Sequence, residues 1–314
     1  MSDGPAVSVV IPVYNGEKHI REALESVFKQ TYQDYEVVCV DDGSTDSSHE
    51  IIKGYGKRVV CCKQENAGPS SARNKAIRMS RGEFVAFLDQ DDVWYPDKLE
   101  QQVGYLKRNP DVAMVHSNIN ISMDDKVVHN GLEIGKRQYG SNVFEELCLG
   151  NFINSITVVI RRTVLDKIGH FDEAFRMAQD YDLWLRVAAE YKIAFQDEIM
   201  GEYRLHDNNS SRGNIEVVKD DLKILNKIRS MYPTLVSDIP EIKIRDRYYQ
   251  KYYMLGYGYF CQYDLNNARR YFLKSLRIKK TSMRALMYVL STFFRKETIN
   301  RMRSIKGKMN YSIT

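Results

Sequence analysis

Apolar positions in the first two thirds of the chain fall into short unbroken runs separated by stretches of helical spacing. Val7 to Val13 is an almost continuous β-branched run, the pattern of a strand buried on both faces. Ile20, Ala23, Leu24, Val27 and Phe28 then recur at helical spacing, with Asn15 a candidate cap ahead of them. Tyr35 to Val40 predicts a second strand and Val59 to Cys62 a third, with a short helix starting near Thr45 between them. Gly68-Pro69 opens a helix that carries Ala72, Ala76 and Met79 on one face and ends at Arg81-Gly82; proline suits a first helical position. Phe84 to Leu88 predicts a fourth strand, Leu99, Val103 and Leu106 a helix, and Val112 to His116 a fifth strand.

Strands separated by helices of this length imply a mostly parallel sheet with right-handed crossovers. Asn118 to Gly140 is polar with short apolar alternations and reads as a hairpin or loop. Ser155 to Ile160 predicts a later strand and Asp180 to Tyr191 a helix, with Leu183, Val187 and Ala188 on one face beside Trp184. After Asn214 the pattern turns all-helical, which puts the expected boundary there: residues 1–214 as an α/β domain and 215–314 as a helical region. Within the latter, Tyr252, Leu255, Gly256, Tyr259, Ala268 and Phe272 have the spacing of a tetratricopeptide-like helix pair, a packing module when it occurs once.

Composition narrows the class. The chain has 314 residues, 43% hydrophobic and 28% charged, ordinary for a soluble globular protein. Its net charge of +5 is too mild to suggest a nucleic-acid binder, and no stacking motif supports one. The charge is unevenly placed: from Leu265 onward Glu297 is the one acid among many lysines and arginines. A tail of that sign suits an anionic partner, and Met283 to Phe294 reads as a buried helix or one lying on anionic lipid. Five cysteines without regular spacing argue against a disulfide framework and for a reducing, cytoplasmic setting, peripheral on the inner face of the cell membrane where the tail engages it. The start of the chain lacks the basic segment of a signal peptide, and no apolar run is long enough for a spanning helix.

The candidate chemistry sits at strand ends, where open α/β sheets bind ligands. Asp41-Asp42-Gly43-Ser44-Thr45-Asp46 follows the second strand, and Asp89-Gln90-Asp91-Asp92 follows the fourth. Crowded acids need a counterion or hydrogen-bond donors. Alternate residues of an extended segment point the same way, so Asp89 and Asp91 can converge on one target. Carboxylates suit Mg²⁺ or Mn²⁺ that share substrate phosphates, and such a cation neutralises a diphosphate leaving group. A turn is the alternative reading, with about even weight for Asp41 to Asp46 and less for the second cluster.

The ordered set Val7-Ser8-Val9-Val10-Ile11-Pro12-Val13-Tyr14-Asn15, Asp41 to Asp46, Asn66-Ala67-Gly68-Pro69-Ser70-Ser71-Ala72-Arg73-Asn74 and Asp89 to Asp92 resembles the family 2 glycosyltransferases of the GT-A fold over about residues 5–210. The resemblance implies a Rossmann-like, mostly parallel sheet flanked by helices, and inverting transfer from a nucleoside-diphosphate sugar, a UDP-sugar above others, to a carbohydrate or lipid-linked acceptor in polysaccharide or glycolipid assembly. It implies Pro12, Tyr14 and Asp42 at the base pocket, Arg73 near the phosphates, Asp89 and Gln90 at the donor, and Asp91, with Asp89 and His206, at a divalent metal, Mn²⁺ or Mg²⁺. Met177 to Arg186 is similar to the acceptor-side motif, with Asp180 in the place of the catalytic base, Gln179 where Glu is common, and Asp182 as the competing acid. Glu202-Tyr203-Arg204-Leu205-His206 resembles the family's Tyr-Arg-x-His segment, and Asp207 to Ser211 looks like a loop that orders over the donor. The Gln-x-x-Arg-Trp motif and membrane spans of processive members are missing, which favours transfer of single sugars. A catalytically silent nucleotide-binding or scaffold protein on the same fold is the alternative; the acids Asp89, Asp91 and Asp180 argue for the enzyme.

Overall fold

A computed structural model describes residues 4–123, 126–129, 142–206 and 215–294. The chain divides into two compact units, Met1–Asn209 and Ser210–Thr314.

The first unit is built on a mixed sheet. Its strands are β1 (Val7–Val13), β2 (Tyr35–Asp41), β3 (Val60–Lys63), β4 (Phe84–Phe87), β5 (Val93–Trp94), β6 (Val112–Met123), β7 (Lys126–His129), β8 (Val159–Arg161) and β9 (Lys192–Leu205). Their spatial order is β3-β2-β1-β4-β8-β6-β9-β5, with β7 paired to β6. β1 to β4 are mutually parallel and β9 is parallel to β6. β8 runs antiparallel between β4 and β6, and β5 is antiparallel to β9. The sheet is therefore mostly parallel, as expected for the GT-A fold.

The helices of this unit are α1 (Ile20–Phe28), α2 (Ser48–Lys53), α3 (Pro69–Met79), α4 (Lys98–Arg108), α5 (Val143–Leu149), α6 (Arg162–Ile168) and α7 (Gln179–Glu190). Strand side chains alternate between the two faces of the sheet. Val7, Val9, Ile11 and Val13 accordingly join one core with Ile20, Ala23, Leu24 and Val27 of α1 and Leu99, Val103 and Leu106 of α4. On the opposite face Phe87 meets Phe171 edge-on at 5.3 Å and Trp184 of α7 at 6.0 Å.

Three expectations need correction. Ser155 to Thr157 forms a 3₁₀ turn, and the strand is confined to Val159–Arg161. The carbonyl of Ile156 accepts from Trp94 Nε1 and that of Thr157 from Gln102 Nε2, so side chains take the bonds a ladder would need. Asn15 does not cap α1: it has a φ of 50°, and its Oδ1 accepts from the Thr45 amide. β6 runs on past His116 to Met123 and pairs antiparallel with β7; the rest of the expected hairpin lies outside the described residues. β5, α5, α6 and β9 were not expected from the pattern.

The second unit contains α8 (Ile215–Met231), α9 (Pro233–Ser237), α10 (Glu241–Cys261), α11 (Leu265–Ile278) and α12 (Met283–Ser291). Phe260, Ala268, Phe272 and Val289 form one core, and Ile215, Val218, Leu222 and Leu255 another. Gly256 lets α10 close onto α11, since a Cβ there would lie 2.7 Å from the Phe272 ring. A buried ion pair joins Lys251 to Asp221. Among the described residues no helix is long and apolar enough to cross a membrane, and all five cysteines are free. Arg295 to Lys308, half of the basic tail, and the loop Asp207 to Ser211 lie outside the described residues.

Candidate active site

The site forms where β1, β2 and β4 end and α3 and α7 begin. Pro12 pairs in register with Val40, and the Tyr14 side chain beyond it is half exposed. Gln90 fixes the Tyr14 backbone from across the cleft: its Oε1 accepts from the Tyr14 amide at 2.8 Å and its Nε2 donates to the Tyr14 carbonyl at 3.0 Å. Gly16 makes room for this amide, because a Cβ there would overlap the Gln90 carboxamide.

Asp41 and Asp42 divide their work. The buried Asp41 accepts from the Ser44 amide, in a turn whose Gly43 has a φ of 78°, and lies 3.4 Å from Lys63 Nζ. Asp42 Oδ1 accepts from Gln64 Nε2 and the Ala67 amide, and its Oδ2 from the Gly68 amide at 2.8 Å. Asp42 thus clamps the chain at the entry to α3 and keeps little acceptor capacity for a further donor.

α3 carries the next group. Arg73 is buried, donates from Nη2 to Asp89 Oδ1, and lies over the Phe171 ring at 5.5 Å. Its Nε and Nη1 are buried and have no hydrogen-bond partner, a costly state for a guanidinium in the protein alone. The neighbouring residues of α3 reach the segment before α7: Ser70 Oγ donates to the Phe175 carbonyl, and the Asn74 amide exchanges bonds with Phe171 at 2.9 and 3.0 Å.

α7 brings Asp180 to the cleft. Its side chain is half-buried, and it accepts from the Tyr181 amide at 2.8 Å and Asn151 Nδ2 at 3.4 Å. Burial is the main reason its pKa rises to about 6; the Asp89 charge adds to the rise, and the Arg73 charge opposes it. Asp182 takes a different role. It is wholly buried and pairs with Arg186 at 2.9 Å, while Arg186 also donates to the carbonyls of Ile168, Gly169 and His170.

Past β4, the acids separate. Asp89 is committed to Arg73 and to Ser155 Oγ at 3.3 Å. Asp91 Oδ2 lies 2.8 Å from His206 Nε2, and His206 stacks on His19 at 5.1 Å. His19 has a lowered pKa, chiefly from burial and then from the Arg204 and His206 charges. Asp92 is buried and accepts from the Arg204 amide; burial, then the Asp91 and Asp89 charges, push its pKa well above the carboxylate range. Arg204 donates from Nε to the Asp91 carbonyl and pairs with Glu22, which locks the end of β9 against the acids.

Among the described residues no three His, Cys, Asp or Glu side chains converge to hold a metal ion by themselves. Asp91 and His206 nonetheless supply an oxygen and a nitrogen donor side by side, which fits a cation that takes most of its shell from substrate phosphate and water. Asp89, expected as a third ligand, is turned to Arg73 instead. Asn151, Ser155 and His19 are contacts that the sequence motifs did not single out.

Comparison with known proteins identifies the family. Residues 8–169 match the family model described as Glycosyl transferase family 2. An uncharacterized glycosyltransferase of Rickettsia typhi is 34% identical over 215 residues, 65% of this chain and 65% of its own length. Other relatives are longer, and the chain spans 35% of one of them. A UDP-Glc:α-D-GlcNAc-diphosphoundecaprenol β-1,3-glucosyltransferase of Escherichia coli is 31% identical over 71% of this chain and 86% of its own. The solved structure of a mannosyltransferase from Pyrobaculum calidifontis, in complex with GDP-Man and Mn²⁺, superposes with a TM-score of 0.60 at 17% identity, over 99% of this chain and 89% of that one. With motifs and fold in agreement, the chain belongs to glycosyl transferase family 2.

Proposed function

We propose that the protein transfers a single sugar, with inversion, from a nucleoside-diphosphate sugar to an acceptor hydroxyl, with the help of a divalent cation. The observation that carries this reading is the convergence on Arg73. This buried guanidinium is bonded to Asp89, has two nitrogens without partners, and acts electrostatically on Asp180. A diphosphate is a natural occupant for those nitrogens. Pro12, Tyr14 and Asp42 line the base side, and the exposed Tyr14 ring offers a stacking face while Gln90 holds its backbone. Mn²⁺ or Mg²⁺, held by Asp91 and His206, would neutralise the leaving diphosphate.

Asp180 supplies the base. Its carboxylate takes the proton of the acceptor hydroxyl as that oxygen attacks the anomeric carbon. The bond from that carbon to the nucleoside diphosphate breaks on the opposite face. A pKa of about 6 keeps the group ionised near neutrality, yet basic enough to accept a proton. A UDP-sugar is the favoured donor and a lipid-linked sugar the favoured acceptor, since the Escherichia coli relative is named for both. This makes the enzyme part of polysaccharide or glycolipid assembly, working on the cytoplasmic side of a membrane. Residues 1–214 form its catalytic domain and 215–314 a helical, tetratricopeptide-like accessory region.

The test is a thermal-shift screen of UDP-, GDP- and dTDP-sugars with and without Mn²⁺, followed by turnover of the best donor. Stabilisation by a UDP-sugar that deepens with Mn²⁺ is expected. No response to any nucleotide sugar would sink the reading.

A further inference from the structure

We infer that the outer face of α12 is a docking surface for anionic phospholipid. The proposal rests on the membrane-side working place proposed for the enzyme, and its test is separate from sugar transfer. α12 is amphipathic in the reverse sense of an ordinary packing helix at its outer face. Ala285, Val289 and Thr292 are buried, whereas Met283, Leu286, Met287, Leu290, Phe293 and Phe294 are exposed. Met283, Leu286, Met287 and Leu290 recur at positions three, four and seven apart and form one stripe on the helix, and Phe293 and Phe294 follow in the turn past its end. Stripe and turn are well open: Met283 is 67% exposed, Leu290 56% and Phe293 66%. Four large apolar side chains in one row, continued by two exposed phenylalanines, are more than isolated surface hydrophobes and mark an interaction site.

Charge identifies the occupant. Residues 265–294 contain seven lysines and arginines, Arg269, Arg270, Lys274, Arg277, Lys279, Lys280 and Arg284, and no Asp or Glu. Lys279 and Lys280 immediately precede the helix, and Arg284 stands in its first turn beside the stripe. Arg269 lies over the Phe293 ring at 3.8 Å and so sets a cation at the far end of the row. A second copy of the chain would bring Arg269, Lys279, Lys280 and Arg284 against the same cations. Residues 295–314 carry six further cations and one acid, which makes them an equally poor cover. An anionic bilayer complements both the apolar stripe and its cationic surround, the combination that holds interfacial helices in the headgroup region.

The test is flotation of the full chain with vesicles of phosphatidylglycerol and phosphatidylcholine, and with pure phosphatidylcholine. Two variants accompany it: Leu286→Ser/Leu290→Ser/Phe293→Ser, and Arg277→Gln/Lys280→Gln/Arg284→Gln. The parent should bind the anionic vesicles and hardly the neutral ones, and each variant should weaken that binding roughly tenfold or more. Thermal melts and nucleotide-sugar binding should be unchanged in both. Equal flotation of parent and serine variant overturns the proposal, as does a self-association of the parent that the serine variant abolishes. Vesicle binding without donor turnover would leave the docking surface standing and remove the transferase reading alone; donor turnover without vesicle binding would do the reverse.

Discussion

The Asp182 carboxylate sits 2.9 Å from Arg186 Nε with no exposure to solvent, two residues from an Asp180 that keeps a path to the cleft. Positions two apart on a helix face different ways, so one acid at the head of α7 builds the fold and its neighbour is left open to serve as the proposed base. Asp182→Asn should destabilise the protein by about 3–5 kcal/mol, because it leaves a buried guanidinium unpaired. Denaturant melts measure the loss, and the surviving folded fraction should keep the parent's pH profile.

Asp180→Asn should lower kcat by about 10²–10⁴-fold while leaving donor affinity within twofold or so. Transfer retained at parental rate would remove Asp180 from the role of base. The parent's own activity should fall as pH drops through about 6, where the carboxyl takes up its proton.

The same substitution should stabilise the protein. The folded pKa of about 6 lies above the ordinary 3.8, so ionising Asp180 costs more in the folded state than in the unfolded one. That penalty is absent below the unfolded value and complete above the folded one, and it amounts to at most roughly 3 kcal/mol. The gain in Tm of Asp180→Asn over the parent should therefore appear as pH rises through the window between those values.

Arg73→Gln removes the charge that holds the Asp180 pKa down. The acid limb of the rate profile should move to higher pH, and donor binding should weaken by about tenfold or more with loss of a buried charge-assisted contact. A rate limb that stays in place would mean Arg73 does not act on the base.

Gln90→Ala and Gly16→Ala should behave alike. One removes the amide that pins the Tyr14 backbone, and the other pushes it aside. Each should cost about 1–2 kcal/mol of stability and weaken nucleotide binding. The double variant should be little worse than either single one, a non-additivity that calorimetry can read.

How much of this was legible follows from how local each signal is. β1, β2, β4, α1, α3 and α4 announce themselves by continuous runs or clean helical spacing, because each is buried along its length or along one stripe. β9 does not. Its Gln196, Asp197, Glu198 and Glu202 break any alternation, and its pairing with β6 slips register three times. Ser155 to Thr157 leads into the β-branched run Val158-Val159-Ile160 and so reads as strand, yet Asn154 accepts from the Ile156 amide and folds it into a turn. In the site, Asp42, Asp89, Asp91 and Asp180 lie inside recognisable motifs. His206, 115 residues from Asp91, lies in such a motif too, whereas other partners are harder to find: Ser155 reaches Asp89 across 66 residues and Asn151 reaches Asp180 across 29. Only the fold brings such pairs together.

α3 is a measuring rod. Its entry is clamped by Asp42 on the nucleotide side, its middle is bonded to Asp89 through Arg73, and Ser70 and Asn74 grip the segment that leads to Asp180. The residues proposed for the base pocket, the phosphates and the proton acceptor are thereby spaced along one stiff object. Loops that choose the acceptor are free to diverge, since the spacing between Arg73 and the proposed base is set by a helix they do not form.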